Sequence, residues 1–327
     1  MRDGYPEDQL HLAAHLYYLD GIGQEGVAQF LGVSQAKVSR MLALARERGI
    51  VRISVAAYEP RDHALEQELC KRFGLTAAAV IKTPKGASVE EARRLVGHFG
   101  APFVLELIPP ESTVALAGGR TMRELIESIP NDKTRRLTVV QAMGSVDYTV
   151  GPADAFELGR QLASRTGGHF FALNTPAYVP DKRARDLLLA HEQIRGLWKE
   201  MKQAKAALVG IGTLDNSVFV ERGVYNATDR QDLRNAGAVG EICGRFYDAS
   251  GHECDTPWRN RVMSIELELV RRIPQVIAVV TGADRAAALA AAIRGRLVKA
   301  VLIDDTGASA LLSAGLTKKK TDDMRTK

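Results

Sequence analysis

The chain has 327 residues, 46% apolar and 25% charged, with a formal net charge of +5. That length suits two or three folded units, and the composition is that of a globular protein with a substantial core. No run of roughly eighteen apolar residues is available to span a bilayer, the opening MRDGYPEDQL has no apolar signal region, and Cys70, Cys243 and Cys254 have neither metal spacing nor the even count of a disulfide framework. A cytoplasmic protein without membrane attachment is expected.

Charge is informative by its placement. Beyond Leu316, Lys318, Lys319, Lys320, Arg325 and Lys327 stand against Asp322 and Asp323, five minus two, a net of +3. Residues 1–55 hold six basic and six acidic side chains and are neutral as a whole. Within residues 34–55, however, Lys37, Arg40, Arg46, Arg48 and Arg52 face only Glu47, five minus one, a local excess of +4. A nucleic-acid surface needs such an excess in one place.

From Pro6 to Leu19 the apolar positions Leu10, Ala13, Ala14 and Tyr17 follow helical spacing. A short helix is predicted from Gln24 to Leu31, a tight turn at Gly32, and a third helix capped by Ser34, running to about Arg48 with Val38, Met41, Leu42 and Ala45 inward. A small residue at the crossing (Ala28), glycine four later (Gly32) and core residues at Val38 and Met41 are the spacing of a helix-turn-helix. The outward face of its third helix offers Gln35, Lys37, Ser39 and Arg40. Gln and Arg suit purine edges in the major groove, whereas Lys and Ser suit phosphate. Val51-Arg52-Ile53-Ser54-Val55 alternates with period two and predicts a β wing carrying Arg52 to the same surface. His11 and His15 are i, i+4 on the first helix but lack a third ligand nearby, so no metal is expected.

Tyr58 to Arg61, with Pro60, marks a boundary. Leu65, Leu69 and Phe73 then repeat every four residues, which suits either a linker helix pairing with its twin in a dimer or docking on the next domain. Because readers of paired DNA half-sites are commonly dimers, pairing is favoured. From Ala77 onward, short apolar runs alternate with helices: 77–81, 113–117, 137–141, 169–173, 206–211, 276–280 and 298–303. Runs without polar alternation are those of parallel strands buried on both faces, with helices such as 121–129 and 283–294 between them. Four units are therefore expected: a winged helix-turn-helix (1–58), a linker helix (59–75), an α/β domain (76–316) and a basic disordered tail (317–327).

In such sheets ligands sit beyond the carboxyl ends of the strands. The loop Ala117-Gly118-Gly119-Arg120-Thr121 joins a strand to a helix start and suits an anion. It lacks the Lys-Ser/Thr and spacing of a Walker A loop. Met143-Gly144-Ser145, Gly210-Ile211-Gly212-Thr213 and Thr281-Gly282-Ala283-Asp284-Arg285 are further small-residue loops, and Arg285 either stands beside a bound phosphate or is a solvated arginine at a helix start. Glu241 either meets ligand hydroxyls or fixes Arg245 or Arg261. An enzyme with its site at these loops would need a general base there, with Asp147, Asp304 and Asp305 as candidates.

Taken together these residues resemble the SorC family of bacterial regulators, from about Leu10 to Leu312. The resemblance rests on Leu31-Gly32-Val33-Ser34 with Val38-Ser39-Arg40, on Arg48–Ile53, and on Gly118-Gly119-Arg120-Thr121. It continues through Gly210-Ile211-Gly212, Gly237–Glu241, Asn260-Arg261, Thr281-Gly282 and Leu302-Ile303-Asp304-Asp305. It implies an operator-binding homodimer or homotetramer with no catalytic activity and no cofactor, controlled by a phosphorylated sugar or polyol. It also implies an effector domain similar in fold to glucosamine-6-phosphate deaminase and ribose-5-phosphate isomerase. By position, Gly119, Arg120 and Thr121 would hold phosphate and Glu241 would meet hydroxyls; with the strand-end loops, the effector-binding set expected is Gly118, Gly119, Arg120, Thr121, Gly144, Gly212, Glu241 and Arg285. Arg285 stands where the family usually has Lys, and Lys205 where Asp is common and is expected to be exposed.

Overall fold

A computed structural model describes residues 5–56 and 58–323. The chain separates into two compact units, Met1–Tyr58 and Glu59–Lys327. In the first, α1 (Glu7–Ala14) runs on as a π-helical turn, His15–Leu19, and is followed by α2 (Gln24–Leu31) and α3 (Gln35–Glu47). Gly32 holds the turn between α2 and α3 at φ 64°, a left-handed conformation that a side chain would strain. The Lys37 N–H donates to Ser34 Oγ at 3.3 Å, capping α3. Leu10, Ala13, Val27, Val38, Met41, Leu42 and Ala45 close into one core.

The predicted wing is absent. Val51–Val55 forms no strand, and Ile53 and Val55 are 59% and 83% exposed. Alternation makes a strand only where another strand completes the ladder, and the first unit contains helices and turns only among its described residues.

The second unit begins with α4 (His63–Phe73). β1 (Ala77–Ile81), α5 (Val89–Leu107), β2 (Thr113–Leu116), α6 (Arg120–Ser128), β3 (Thr138–Gln141), α7 (Ala155–Thr166) and β4 (His169–Phe171) then alternate. After α8 (Lys182–Ala190) and α9 (Glu192–Met201) come β5 (Ala206–Val209), α10 (Val218–Glu221) and α11 (Ala227–Asn235). β6 (Gly240–Ile242) and β7 (Arg245–Tyr247) precede α12 (Leu267–Arg272), β8 (Gln275–Val279), α13 (Ala286–Arg294), β9 (Ala300–Asp304) and α14 (Asp305–Asp323).

The seven apolar runs form one parallel sheet, ordered β1-β9-β8-β5-β2-β3-β4. Alternate strand residues feed two different cores. Ala79, Ile81, Ala206, Leu208, Ala300 and Leu302 pack on one side with residues of α5, α6 and α7. Ala78, Val80, Ala207, Val209, Val301 and Ile303 pack on the other with residues of α9, α13 and α14. Both sets are apolar because neither face meets water. β6 and β7 form a separate antiparallel hairpin that the sequence reading did not foresee. No helix among the described residues is long and apolar enough to cross a membrane.

Two boundary expectations change. The stripe on α4 does not wait for a twin: Leu69 is buried in the second unit's core, with Leu65 and Phe73 packed against it. Glu66 locks the helix to the sheet edge, accepting from the Val80 N–H at 3.0 Å, Arg61 Nε at 2.7 Å and Arg61 Nη2 at 2.9 Å. Residues 317–323, expected as the start of a disordered tail, are continuous with α14, which ends at Asp323. Its last four residues, 324–327, lie outside the described residues.

Replacing Glu66 with Ala strands a buried N–H and the Arg61 guanidinium, so urea unfolding is expected to show a loss of about 3 kcal/mol.

Candidate functional site

The loops after four neighbouring strands, β8, β5, β2 and β3, close around a cavity of about 830 Å³ in the second unit. All eight effector residues anticipated from the sequence, Gly118, Gly119, Arg120, Thr121, Gly144, Gly212, Glu241 and Arg285, line it. The chain runs outward from β2 to β3 and β4, then returns to β5 on the other side of β2. The cavity therefore sits where strand order reverses, the place at which two successive loops diverge and leave a crevice.

Each wall has a local cause. Gly119 is the N-cap of α6 at φ 140°, and its N–H donates to Ala153 O at 2.9 Å, which folds the loop back over the strand end. Thr121, one residue into the helix, puts Oγ1 3.3 Å from Thr281 Oγ1, joining the β2 and β8 loops. Gly144 is held by its N–H on Met263 O at 3.0 Å, and the buried Gln141 side chain braces the same loop, donating to Met143 O at 2.8 Å. Gly212 and Glu241 exchange backbone hydrogen bonds at 2.9 Å in both directions. A Cβ at 212 would fall 2.2 Å from Glu241 Oε2, so only glycine lets the carboxylate reach that position.

Glu241 is 7% exposed and is carried by the β6–β7 hairpin. The two turn residues, Cys243 and Gly244, both have positive φ, 52° and 78°, as a type I′ turn requires. That turn aims the Gly244 N–H at Glu241 Oε1, and Trp258 Nε1 fixes Gly244 O at 2.7 Å. Burial pushes the Glu241 carboxyl up to about 7, against the opposing pull of the Gly244 hydrogen bond. Neither structural partner suggested by the sequence holds it. Arg245 pairs with Glu253 at 2.8 Å, and Arg261 pairs with Asp229 and Tyr178.

Arg285 is not a solvated arginine. Its side chain is 13% exposed, and Nη1 donates to Thr281 O at 3.1 Å and Asp284 Oδ1 at 3.0 Å. Of the three candidate bases, Asp147 lines the cavity and is paired with Arg222 at 2.8 Å. Asp304 instead accepts the Gly282 N–H at 2.7 Å, and Asp305 accepts from Thr83 Oγ1 at 2.6 Å. Lys205 is exposed.

Sequence reasoning missed Arg93, which lines the cavity from the N-terminal turns of α5. Its signal was present: a cation at helical spacing with Ala92, Val96, Gly97 and Gly100 on a stripe that is otherwise small and apolar. Glu221 and Arg222, also missed, reach the cavity from α10 and the residue after it, where no strand end pointed.

In the first unit, Gln35, Ser39 and Arg40 are exposed on α3, and Arg40 Nε donates back to Ala36 O at 3.4 Å. Lys37 is half-buried, its Nζ 5.5 Å from the centre of the Tyr5 ring. Arg52 is exposed on the irregular stretch after α3.

Glu241 yields a pH prediction. Its folded value lies above that of the unfolded chain, so between about pH 4.5 and 7 the unfolded state releases this proton first and stability falls as pH rises. Unfolding of Glu241→Gln is expected to lose that component, about 3 kcal/mol across the window. An unchanged pH slope in the variant would mean that Glu241 ionises normally.

Residues 60–313 match the family described as "Putative sugar-binding domain". The sorbitol operon regulator of Klebsiella pneumoniae is 28% identical over 312 residues, covering 91% of this chain and 96% of that protein. The deoxyribonucleoside regulator of Bacillus subtilis is 28% identical over 308 residues, covering 92% and 96%. The crystal structure of the full-length sorbitol operon regulator SorC from Klebsiella pneumoniae matches with a TM-score of 0.75 at 26% identity, covering 94% of this chain and 100% of that one. A matched domain of this extent, joined to relatives of the same length that are transcription regulators, leaves one assignment: the chain belongs to the SorC family of sugar-binding transcriptional regulators.

Proposed function

We propose that the protein is a cytoplasmic repressor or activator of a carbohydrate operon, binding operator DNA through α3 and answering to a phosphorylated sugar or polyol in the cavity. The observation that carries this reading is the joint placement of a glycine loop at a helix start, two arginines and a buried carboxylate around one space. Helix-start N–H groups with Arg120 and Arg285 suit a phosphate. A carboxyl balanced near neutrality, Glu241, suits sugar hydroxyls, which both donate and accept. The volume, about 830 Å³, falls in the range of small-molecule sites, about 300–1,000 Å³. The relative named for the sorbitol operon supports a polyol or sugar as the class.

In this reading α2 and α3 form the helix-turn-helix, Gln35 and Arg40 read bases, and Lys37, Ser39 and Arg52 hold the phosphate backbone. Lys37 would have to leave the Tyr5 ring to do so. The protein works as a homodimer or homotetramer, and the effector shifts the arrangement of its subunits and hence the spacing of the reading helices. The similarity of the effector domain to glucosamine-6-phosphate deaminase and ribose-5-phosphate isomerase belongs to the same reading, with the chemistry gone. Turnover has no support: the relatives of matching length are named as regulators, and of Asp147, Asp304 and Asp305 only Asp147 lines the cavity, where Arg222 engages it.

A thermal-shift screen of the full chain against phosphorylated and free sugars and polyols tests the effector. A ligand at about a hundred times its Kd stabilises by about 2.7 kcal/mol. Thr121→Ala is expected to lose that shift while operator binding in a gel assay persists; an unaltered shift removes the Gly118–Thr121 loop from the site. Arg40→Ala is expected to weaken specific operator binding by about 1–3 kcal/mol with folding intact, and unchanged affinity would mean that another face reads the DNA.

A further inference from the structure

Arg93 has no assigned place in the effector reading, yet it is the most buried cation of the cavity, 8% exposed. Burial pushes its guanidinium below the ordinary value, and the like charges of Arg120 and Arg285 push it further. Arg93 therefore lies within reach of both other cations, and such a group is unfavourable unless anions neutralise it. Each is held by one carboxylate. Arg93 Nη1 donates to Glu90 Oε1 at 2.9 Å, Arg120 Nη2 to Glu221 Oε1 at 2.7 Å, and Arg285 Nη1 to Asp284 Oδ1 at 3.0 Å. The carboxylate side chains are 70%, 46% and 50% exposed, whereas Arg93 and Arg285 are only 10% and 13% exposed. Solvated partners leave at little cost, and buried cations stay where they are.

We infer that Arg93, Arg120 and Arg285 form one subsite for a phosphomonoester dianion, and that Glu90, Glu221 and Asp284 occupy the guanidiniums until the dianion displaces them. The inference rests on the cavity being the effector site. A ligand carboxylate would only exchange one carboxylate for another, a nearly neutral swap. A phosphate brings close to two charges and three acceptor oxygens, enough to engage several guanidiniums at once. Asp284 keeps a partner after the exchange, because Asn216 Nδ2 already donates to its Oδ2 at 2.8 Å. Arg93 thus sets which anion the cavity accepts.

Calorimetric titration of the full chain with glycerol 3-phosphate and with glycerate, two small polyol acids differing in the anion, tests this. Glycerol 3-phosphate is expected to bind more tightly, and Arg93→Gln to weaken it about tenfold while changing glycerate little. Glu221→Gln, at a half-exposed position, removes a competitor and is expected to strengthen glycerol 3-phosphate about twofold to fivefold. An unchanged preference for phosphate in Arg93→Gln, or weaker binding in Glu221→Gln, overturns the inference. If Arg93→Gln does not fold, the sign of the Glu221→Gln effect decides alone. Loss of binding in Arg285→Gln, with Arg93→Gln and Glu221→Gln both silent, sinks this subsite and leaves the effector reading standing. A wild-type chain that binds none of the phosphorylated sugars in the thermal screen sinks both.

Discussion

A parallel sheet covered on both faces leaves its strands no room for polar side chains, and the rest of the second unit follows from that constraint. The apolar residues of the central strands point into one core or the other, so Ala207 and Leu208, neighbours in β5, serve opposite sides of the sheet with equally apolar side chains. Polar chemistry is pushed to the strand ends, where backbone N–H groups of loops and helix starts are unpaired and charged side chains meet solvent. The reversal of strand order beside β2 opens those loops away from each other. Cavity and binding groups are thus the residue of a packing rule.

Within the cavity, burial acts on the two signs of charge differently. The carboxyl of Glu241 responds by holding its proton to about pH 7, so the wall it forms is close to neutral under ordinary conditions. Arginine has no such escape, since its guanidinium stays charged at any accessible pH. Arg93 and Arg285 are instead kept in place by neighbouring carboxylates and by carbonyl oxygens such as Thr281 O. The cavity therefore holds permanent cations beside carboxylate partners together with one carboxyl whose charge depends on pH near 7.

Much of this organisation was legible in the sequence. Continuous apolar runs located every strand of the large sheet to within a few residues, because parallel strands have no polar face to blur the signal. Gly32 and Ser34 fixed the turn and cap of the first unit, where one residue type is strongly preferred on steric or hydrogen-bonding grounds. The misses have physical reasons as well. Residues 51–55 alternate as a strand does, but pairing is a tertiary property that one segment does not contain. The stripe of Leu65, Leu69 and Phe73 is the same whether it meets a twin or a sheet edge, and the deciding residue, Glu66, is polar and lay outside the pattern. The β6–β7 hairpin turns on Cys243-Gly244 where Asn-Gly is the usual signal. Arg93 enters the cavity from the face of α5, whereas strand-end loops are where a parallel sheet signals a site in its sequence.

The close approach of Gly212 to the Glu241 carboxylate has a consequence for how such a sensor changes over time. The two positions are not free to vary separately. A side chain at 212 would push the Glu241 carboxylate out of the place it now holds, so a change there also moves residue 241 within the cavity. The loop after β5 and the β6–β7 hairpin, already joined by the paired backbone hydrogen bonds of 212 and 241, therefore change together.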